Sequence, residues 1–148
     1  MITTNQIKQL RKETGVSIME CKKALEETKG NLEKAKEVLK KWGRGFTERK
    51  KEREVKEGII ESYIHPGKKI GAMVELHCES DFVARSSDFQ KLAHELCLQI
   101  AAIGSTDTPI FEQSWIKDET RKIRDLIDEY ITKLGENIIL KRFVRYEL

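Results

Sequence analysis

A chain of 148 residues with 39% hydrophobic and 36% charged side chains can form one ordinary domain plus a small satellite, with a core that needs no staples. Its 28 basic and 25 acidic residues leave a net charge of +3, too even for a chain that grips nucleic acid along its length. No apolar run is long enough to span a bilayer and the N-terminus lacks a signal-peptide pattern, so no membrane partner is expected and the cytosol is the expected compartment.

The first forty-odd residues read as short helices that must pack on one another, because helices of this length are marginal alone. Thr3 or Thr4 can cap the first, which carries Ile7 and Leu10 and ends at Gly15. Ser17 and Glu20 have capping-box spacing for a second helix, which runs to about Thr28 with Gly30 as terminator. Asn31 caps a third, bearing Leu32, Ala35, Val38, Leu39 and Trp42. On the second helix Ile18, Cys21, Ala24 and Leu25 share a face. Met19 points away from them, flanked by Lys22 and Lys23. It is either an ordinary exposed methionine or a contact for a partner, for which its adaptable shape suits it.

Between residues 44 and 57 the composition shifts to mixed charge, as in Arg49-Lys50-Lys51-Glu52-Arg53-Glu54, which reads as an exposed helix or stiff linker and a domain boundary. A hairpin follows. Ile59, Ile60, Tyr63 and Ile64 mark one strand, His65-Pro66-Gly67-Lys68-Lys69 the turn, and the alternation of Ile70, Ala72, Val74, Leu76 and Cys78 a half-buried second strand. Glu79 to Arg85 reads as a surface junction, yet it carries Phe82 and Val83 beside Asp81. Phe82 there is either a local plug under the next helix or a probe for another molecule.

From about Asp88, Phe89, Leu92, Ala93, Leu96 and Ile100 follow helical spacing, with Cys97 at the edge and Leu98 pointing away as a weak hint of association. Gly104 closes that helix. A loop from Ser105 to Lys117 is expected to be pinned by Phe111 and Trp115. A last helix from about Asp118 to Leu134 shows Ile123, Ile127, Tyr130, Ile131 and Leu134 on one side. Ile138 to Tyr146 reads as a strand of ambiguous phase, with Ile139, Phe143 and one of Leu140 and Val144 expected inside. The pattern fits an α+β fold: a three-helix N-terminal module, then a small antiparallel sheet packed by helices.

Catalytic chemistry is not signalled. His65, His77 and His94 fall in a turn, on a strand and on a polar helix face, with no spacing that pairs them with Cys78 or Cys97. Glycine-loop, Walker and HExxH patterns are missing, and adjacent His77 and Cys78 point to opposite faces of a strand. Cys21, Cys78 and Cys97 contain no CxxC and read as buried free thiols. Neither a metal nor a cofactor is expected.

With these segments laid out, the chain resembles the elongation factor Ts family, exchange factors for the bacterial GTPase elongation factor Tu. The resemblance rests on Leu10 to Leu25, on Tyr63-Ile64-His65-Pro66-Gly67, on Gly71 to Arg85, and on Leu134-Gly135-Glu136-Asn137-Ile138 with Lys141 to Arg145. Glu20 stands where many members have aspartate, and Ser80 where threonine is usual, so the hydroxyl is kept. The resemblance implies a ubiquitin-associated-like helical module at 1–43, a charged helical linker at 44–57 and a single core domain at 58–148. It implies that Ser80, Asp81, Phe82 and Val83 dislocate magnesium in elongation factor Tu, GDP-bound or nucleotide-free. It further implies that Leu10, Ile18 and Met19 meet a helix of the GTPase, with no covalent catalysis and no direct nucleic-acid contact. Longer members carry two core halves; a chain with one half is expected to pair as a homodimer through a sheet edge or Leu98. An RNA- or ribosome-binding protein, or an interaction adaptor of the same fold, is the competing reading.

Overall fold

In a computed structural model the backbone is described over residues 1–148 and the side chains over 1–42 and 51–148. The chain divides into two compact units, residues 1–49 and 50–148.

The first unit is made of α1 (Thr4–Thr14), α2 (Ile18–Glu27) and α3 (Leu32–Lys50). Each starts on a side-chain oxygen that satisfies a free amide of the first turn. At α1 the cap is reciprocal: the Gln6 N–H donates to Thr3 Oγ1 and the Thr3 N–H to Gln6 Oε1. Ser17 Oγ accepts from the Glu20 N–H at 3.3 Å, while the Glu20 carboxylate accepts from the Ser17 hydroxyl. Asn31 Oδ1 accepts from the Lys34 N–H at 3.0 Å. Leu10, Cys21, Ala24, Leu25, Ala35 and Leu39 form the core between the helices. The third helix runs on to Lys50, taking in the start of the stretch read as a linker. The side chains of Arg44 to Lys50 lie outside the described residues, and with them that part of the charged run.

The second unit is an α+β domain, as the sequence pattern implies. β1 (Glu57–Ile64), β2 (Ile70–Cys78) and β5 (Ile139–Glu147) form an antiparallel sheet of order β1-β2-β5. Pro66 and Gly67 make the hairpin turn, Gly67 at φ +93° as such a turn requires. A glycine is needed at 58 for another reason: a Cβ there would lie 2.3 Å from the Leu76 carbonyl oxygen of β2. Ala72, Val74, Leu76 and Cys78 of β2 are buried beneath α5 (Ser87–Ile103), whose Phe89, Leu92, Ala93, Leu96 and Ile100 fill the core. α6 (Ile123–Leu134) packs on α5 through Ile123, Leu126, Ile127, Tyr130 and Ile131.

Three expectations need correction. Residues 118–122 are not helical; they form β4 (Asp118–Lys122), paired with β3 (Ser114–Trp115), and α6 begins at Ile123. The preceding loop is held by buried Ile110 on a 3-10 turn and by buried Gln99, whose amide donates to Gln113 Oε1 and the Ser114 carbonyl and accepts from the Ile116 N–H. Phe111 is exposed and Trp115 half-buried under the Arg121 guanidinium. Cys97 is not at an edge but fully buried, its thiol donating to the Glu61 carbonyl.

The phase of β5 has a physical answer. Its register against β2 shifts between Glu75 and Leu76, partnered by Arg142 and Leu140, so Lys141 bulges out of the ladder. Leu140 therefore lies opposite buried Leu76, and Ile139 opposite His77 on the outer face, where it is exposed. Phe143 opposes Val74, on the helix side, but β5 is an edge strand and leaves it exposed too.

Candidate functional site

β2 runs out at Cys78, and the junction read as a loop closes into a single helical turn, α4 (Asp81–Ala84). Ser80 caps it, its Oγ accepting from the Val83 N–H at 3.3 Å. Ser86 caps the next helix by accepting from the Phe89 N–H, and its hydroxyl donates back to the Val83 carbonyl at 2.7 Å. The turn is thus bounded by two serine caps, and buried Ala84 anchors it to the core.

This frame leaves Phe82 outside. The ring is 82% exposed, so it is not a plug under α5. Asp81 beside it pairs with Arg85 at 2.9 Å, one helical turn on. The Arg85 guanidinium stands 5.9 Å from the Phe82 ring centroid. Val83 is half-buried. Of the four residues singled out in the sequence, Ser80 and Val83 build the turn, while Asp81 and Phe82 are presented by it.

Glu79, Glu136, Asn137 and Arg53 also belong to this site, and spacing alone did not reveal them. Glu136 Oε1 accepts from the Glu79 and Ser80 N–H groups, and Glu79 accepts from the Asn137 N–H and pairs with Arg53. The available signal was the Leu134–Ile138 motif, which stood out without a role.

On the first unit, Met19 is 70% and Ile18 53% exposed. Ile18 shares a helix face with Cys21, Ala24 and Leu25, but those three are buried whereas Ile18, the first residue of α2, is not. Leu10 is fully buried at the centre of the helical core.

The face of the sheet away from α5 is a third surface. Ile60 and Ile64 of β1, Met73 of β2, and Val144 and Tyr146 of β5 are all exposed on it. All but Ile60 line a shallow groove of about 300 Å³, together with residues that include Ile70 and Leu148. Glu75 lies on the same face, its carboxyl held below the usual range by the Arg142 guanidinium and then by His77. Leu98 is half-buried on α5.

Groups suited to covalent chemistry are dispersed. His65 bonds the Tyr63 hydroxyl in the hairpin turn, His77 bonds Glu75, and His94 meets the edge of the Tyr63 ring. Burial pushes the Cys78 thiol up to about 11 and the Cys97 thiol up to about 12, which disarms both as nucleophiles. Among the described residues, no group of three or more His, Cys, Asp or Glu is placed to hold a metal, and no helix is long and apolar enough to cross a membrane.

A helical module joined to an α+β core, with an aromatic side chain held out on a capped turn, has the form of a protein that works by contact with another macromolecule. Residues 79–148 match the family model described as elongation factor TS. Over 99% of the chain and 98% of the relative, it is 40% identical to an elongation factor Ts of Coprothermobacter proteolyticus. It is 38% identical to that of Thermotoga maritima, over 99% of the chain and 96% of the relative, and 35% identical to that of Herpetosiphon aurantiacus. The chain belongs to the elongation factor Ts family, and its role is that of a translation elongation factor. The first of these alignments extends over 193 residues against the chain's 148, so that relative carries residues with no counterpart here.

Proposed function

We propose that the chain is a guanine nucleotide exchange factor for elongation factor Tu, and that it works through the Ser80 turn. The observation that carries this reading is Phe82, almost fully exposed on a turn whose backbone is tied on both sides. An exposed aromatic costs free energy in water, and a rigid mount lowers the entropy lost when it docks. In a GTPase the nucleotide and magnesium hold each other, because the ion neutralises phosphate oxygens. Inserted beside that site, Phe82 displaces the groups that position the ion, with Val83 supporting the turn from below. Asp81 is free to assist: its partner Arg85 is also exposed, and exposed ion pairs are held by only about 0–1 kcal/mol. It exchanges Arg85 for hydrogen-bond donors on the GTPase at little cost.

The coupling is reciprocal. A chain that binds the nucleotide-free GTPase tightly must weaken nucleotide binding by the same factor. It does not select GTP over GDP; the nucleotide pool sets the direction, and no covalent bond is made or broken. Ile18 and Met19 supply a second contact from the ubiquitin-associated-like module, with Leu10 holding α1 against α2 beneath them. In this division of labour, residues 1–43 dock, 44–57 connect and 58–148 act on the nucleotide site, all in the cytoplasm where translation proceeds.

The core also acts as a homodimer in this reading. The apolar outer sheet face supports it better than a sheet edge or Leu98, since two such faces can stack as a sandwich. A second copy brings the same self-complementary surface, on which Glu75 and Arg142 are already paired within each face.

The test is release of a fluorescent GDP analogue from elongation factor Tu with the chain or Phe82→Ala added. Accelerated release that falls by on the order of tenfold in the variant, with folding intact, is the expected result. Acceleration untouched by the substitution moves the site elsewhere, and no acceleration at all removes the exchange reading.

A further inference from the structure

The Leu134–Ile138 motif lies between α6 and β5. Gly135, in the left-handed region at φ +77°, turns the chain out of α6, and the next residue faces the end of β2. There the Glu136 carboxylate collects three donors. Its Oε1 accepts from the Glu79 N–H at 3.1 Å and the Ser80 N–H at 2.9 Å, and its Oε2 accepts from the Ser80 hydroxyl at 2.6 Å. The same hydroxyl oxygen accepts from the Val83 N–H, so one carboxylate is linked through a single oxygen to the cap of α4. Bonds from neutral donors to a carboxylate are short and strong, and three of them converge here on the residues that lead into the turn.

Asn137 locks the mount from the other side. It is 1% exposed, its N–H donates to Glu79 Oε2, and its amide donates to the carbonyls of Lys51 and Arg53. Arg53 in turn pairs with Glu79 at 3.6 Å.

We propose that Glu136 is a positioning residue of the exchange site: it fixes the orientation of the Ser80 turn and thereby the direction in which Phe82 is presented. The proposal rests on the exchange reading above and adds to it a residue that need not touch the GTPase. Without the carboxylate, two backbone N–H groups and a hydroxyl lose their common acceptor and turn to water, and the turn rotates about the end of β2. A misplacement of about 1 Å at a reacting geometry can cost about a hundredfold in rate.

The test compares wild type, Glu136→Ala, Glu136→Gln, Phe82→Ala and the Phe82→Ala/Glu136→Ala double variant, each checked for a native melting transition. GDP release at saturating chain is expected to slow by on the order of tenfold in Glu136→Ala. Glu136→Gln keeps an oxygen for both backbone N–H groups and is expected to stay within about threefold of wild type. The double variant is expected to be no slower than Phe82→Ala alone, because the two substitutions remove one function. Full activity in Glu136→Ala, or losses that multiply in the double variant, overturns the proposal. Amide hydrogen exchange of the free chain gives a readout independent of the GTPase. Glu79, Ser80 and Val83 are expected to exchange faster in Glu136→Ala and to remain protected in Glu136→Gln, with Val74 in mid-sheet unchanged. If wild type fails to speed GDP release, the exchange reading falls, and unchanged protection at those three amides separately overturns the positioning role. Should Glu136→Ala not fold, Glu136→Asp, which draws the carboxylate back by one methylene from its three donors while leaving the Ser80 cap of Val83 in place, is compared with Glu136→Gln in the same way.

Discussion

Cys97 and Cys78 show how a residue's surroundings set its behaviour. Both thiols are fully buried and both have a carbonyl acceptor, on Glu61 and Ser80, but desolvation dominates and opposes the thiolate. In the unfolded chain these thiols ionise near the ordinary value of 9.0; in the folded chain they hold their protons to about 11 and about 12. Between those limits the native state binds more protons than the unfolded one, so stability falls as pH rises above about 9. Urea midpoints measured from pH 8 to pH 11 are expected to drop, and Cys97→Ala is expected to flatten the decline. A thiol reagent at pH 8 should label neither residue until the chain unfolds. The sequence showed the thiols as buried and unpaired but put Cys97 at the helix edge, since the angular pattern of α5 cannot report how closely β1 approaches.

At the level of elements, the caps of the first unit were legible, while the start of α6 and the irregularities were not. Caps at Thr3, Ser17 and Asn31, glycine stops at Gly15 and Gly104, and the alternation of β2 are local chemistry, and each stands in the structure where the sequence placed it. The bulge at Lys141 and the β3–β4 ribbon depend on strands far away in sequence or on a buried glutamine, and no local pattern announces them. Two substitutions test the local reasoning. Ser86→Ala removes the cap of α5 and the bond to Val83, and is expected to cost about 1 kcal/mol in denaturant unfolding. Gly58→Ala pushes a methyl group into the backbone of β2 and is expected to cost more, about 2 kcal/mol or above, with weakened amide protection along β1 and β2.

For the molecule as a whole, the fold class was legible because it follows from the order of patterned segments. The proposed site was legible only in part: Phe82 and Met19 stood out as apolar residues with no local reason to be where they are, whereas Glu136 and Asn137 gain meaning only once the chain is folded. The outer sheet face went unread, because Ile60, Ile64 and Met73 alternate in phase with residues that look equally suited to a core. Pairing of two such faces is the prediction at this scale. Three strands about 4.8 Å apart present a modest area, at the lower end of specific interfaces, so the dimer is expected to dissociate on dilution. Sedimentation should give a concentration-dependent mass for wild type and a monomer at all concentrations for Ile64→Glu. A wild-type monomer at high concentration removes the pairing.

The bonds that hold the Ser80 turn span 56 residues of sequence. A ribosome makes the chain from its N-terminus, so the turn leaves the exit tunnel well before Glu136 does, and β2 waits still longer for β5. During that interval the helical module can already fold on local contacts, while the aromatic turn has neither its clamp nor its complete sheet. In the proposed reading, the nascent protein therefore completes its docking module first and the mount of Phe82 last.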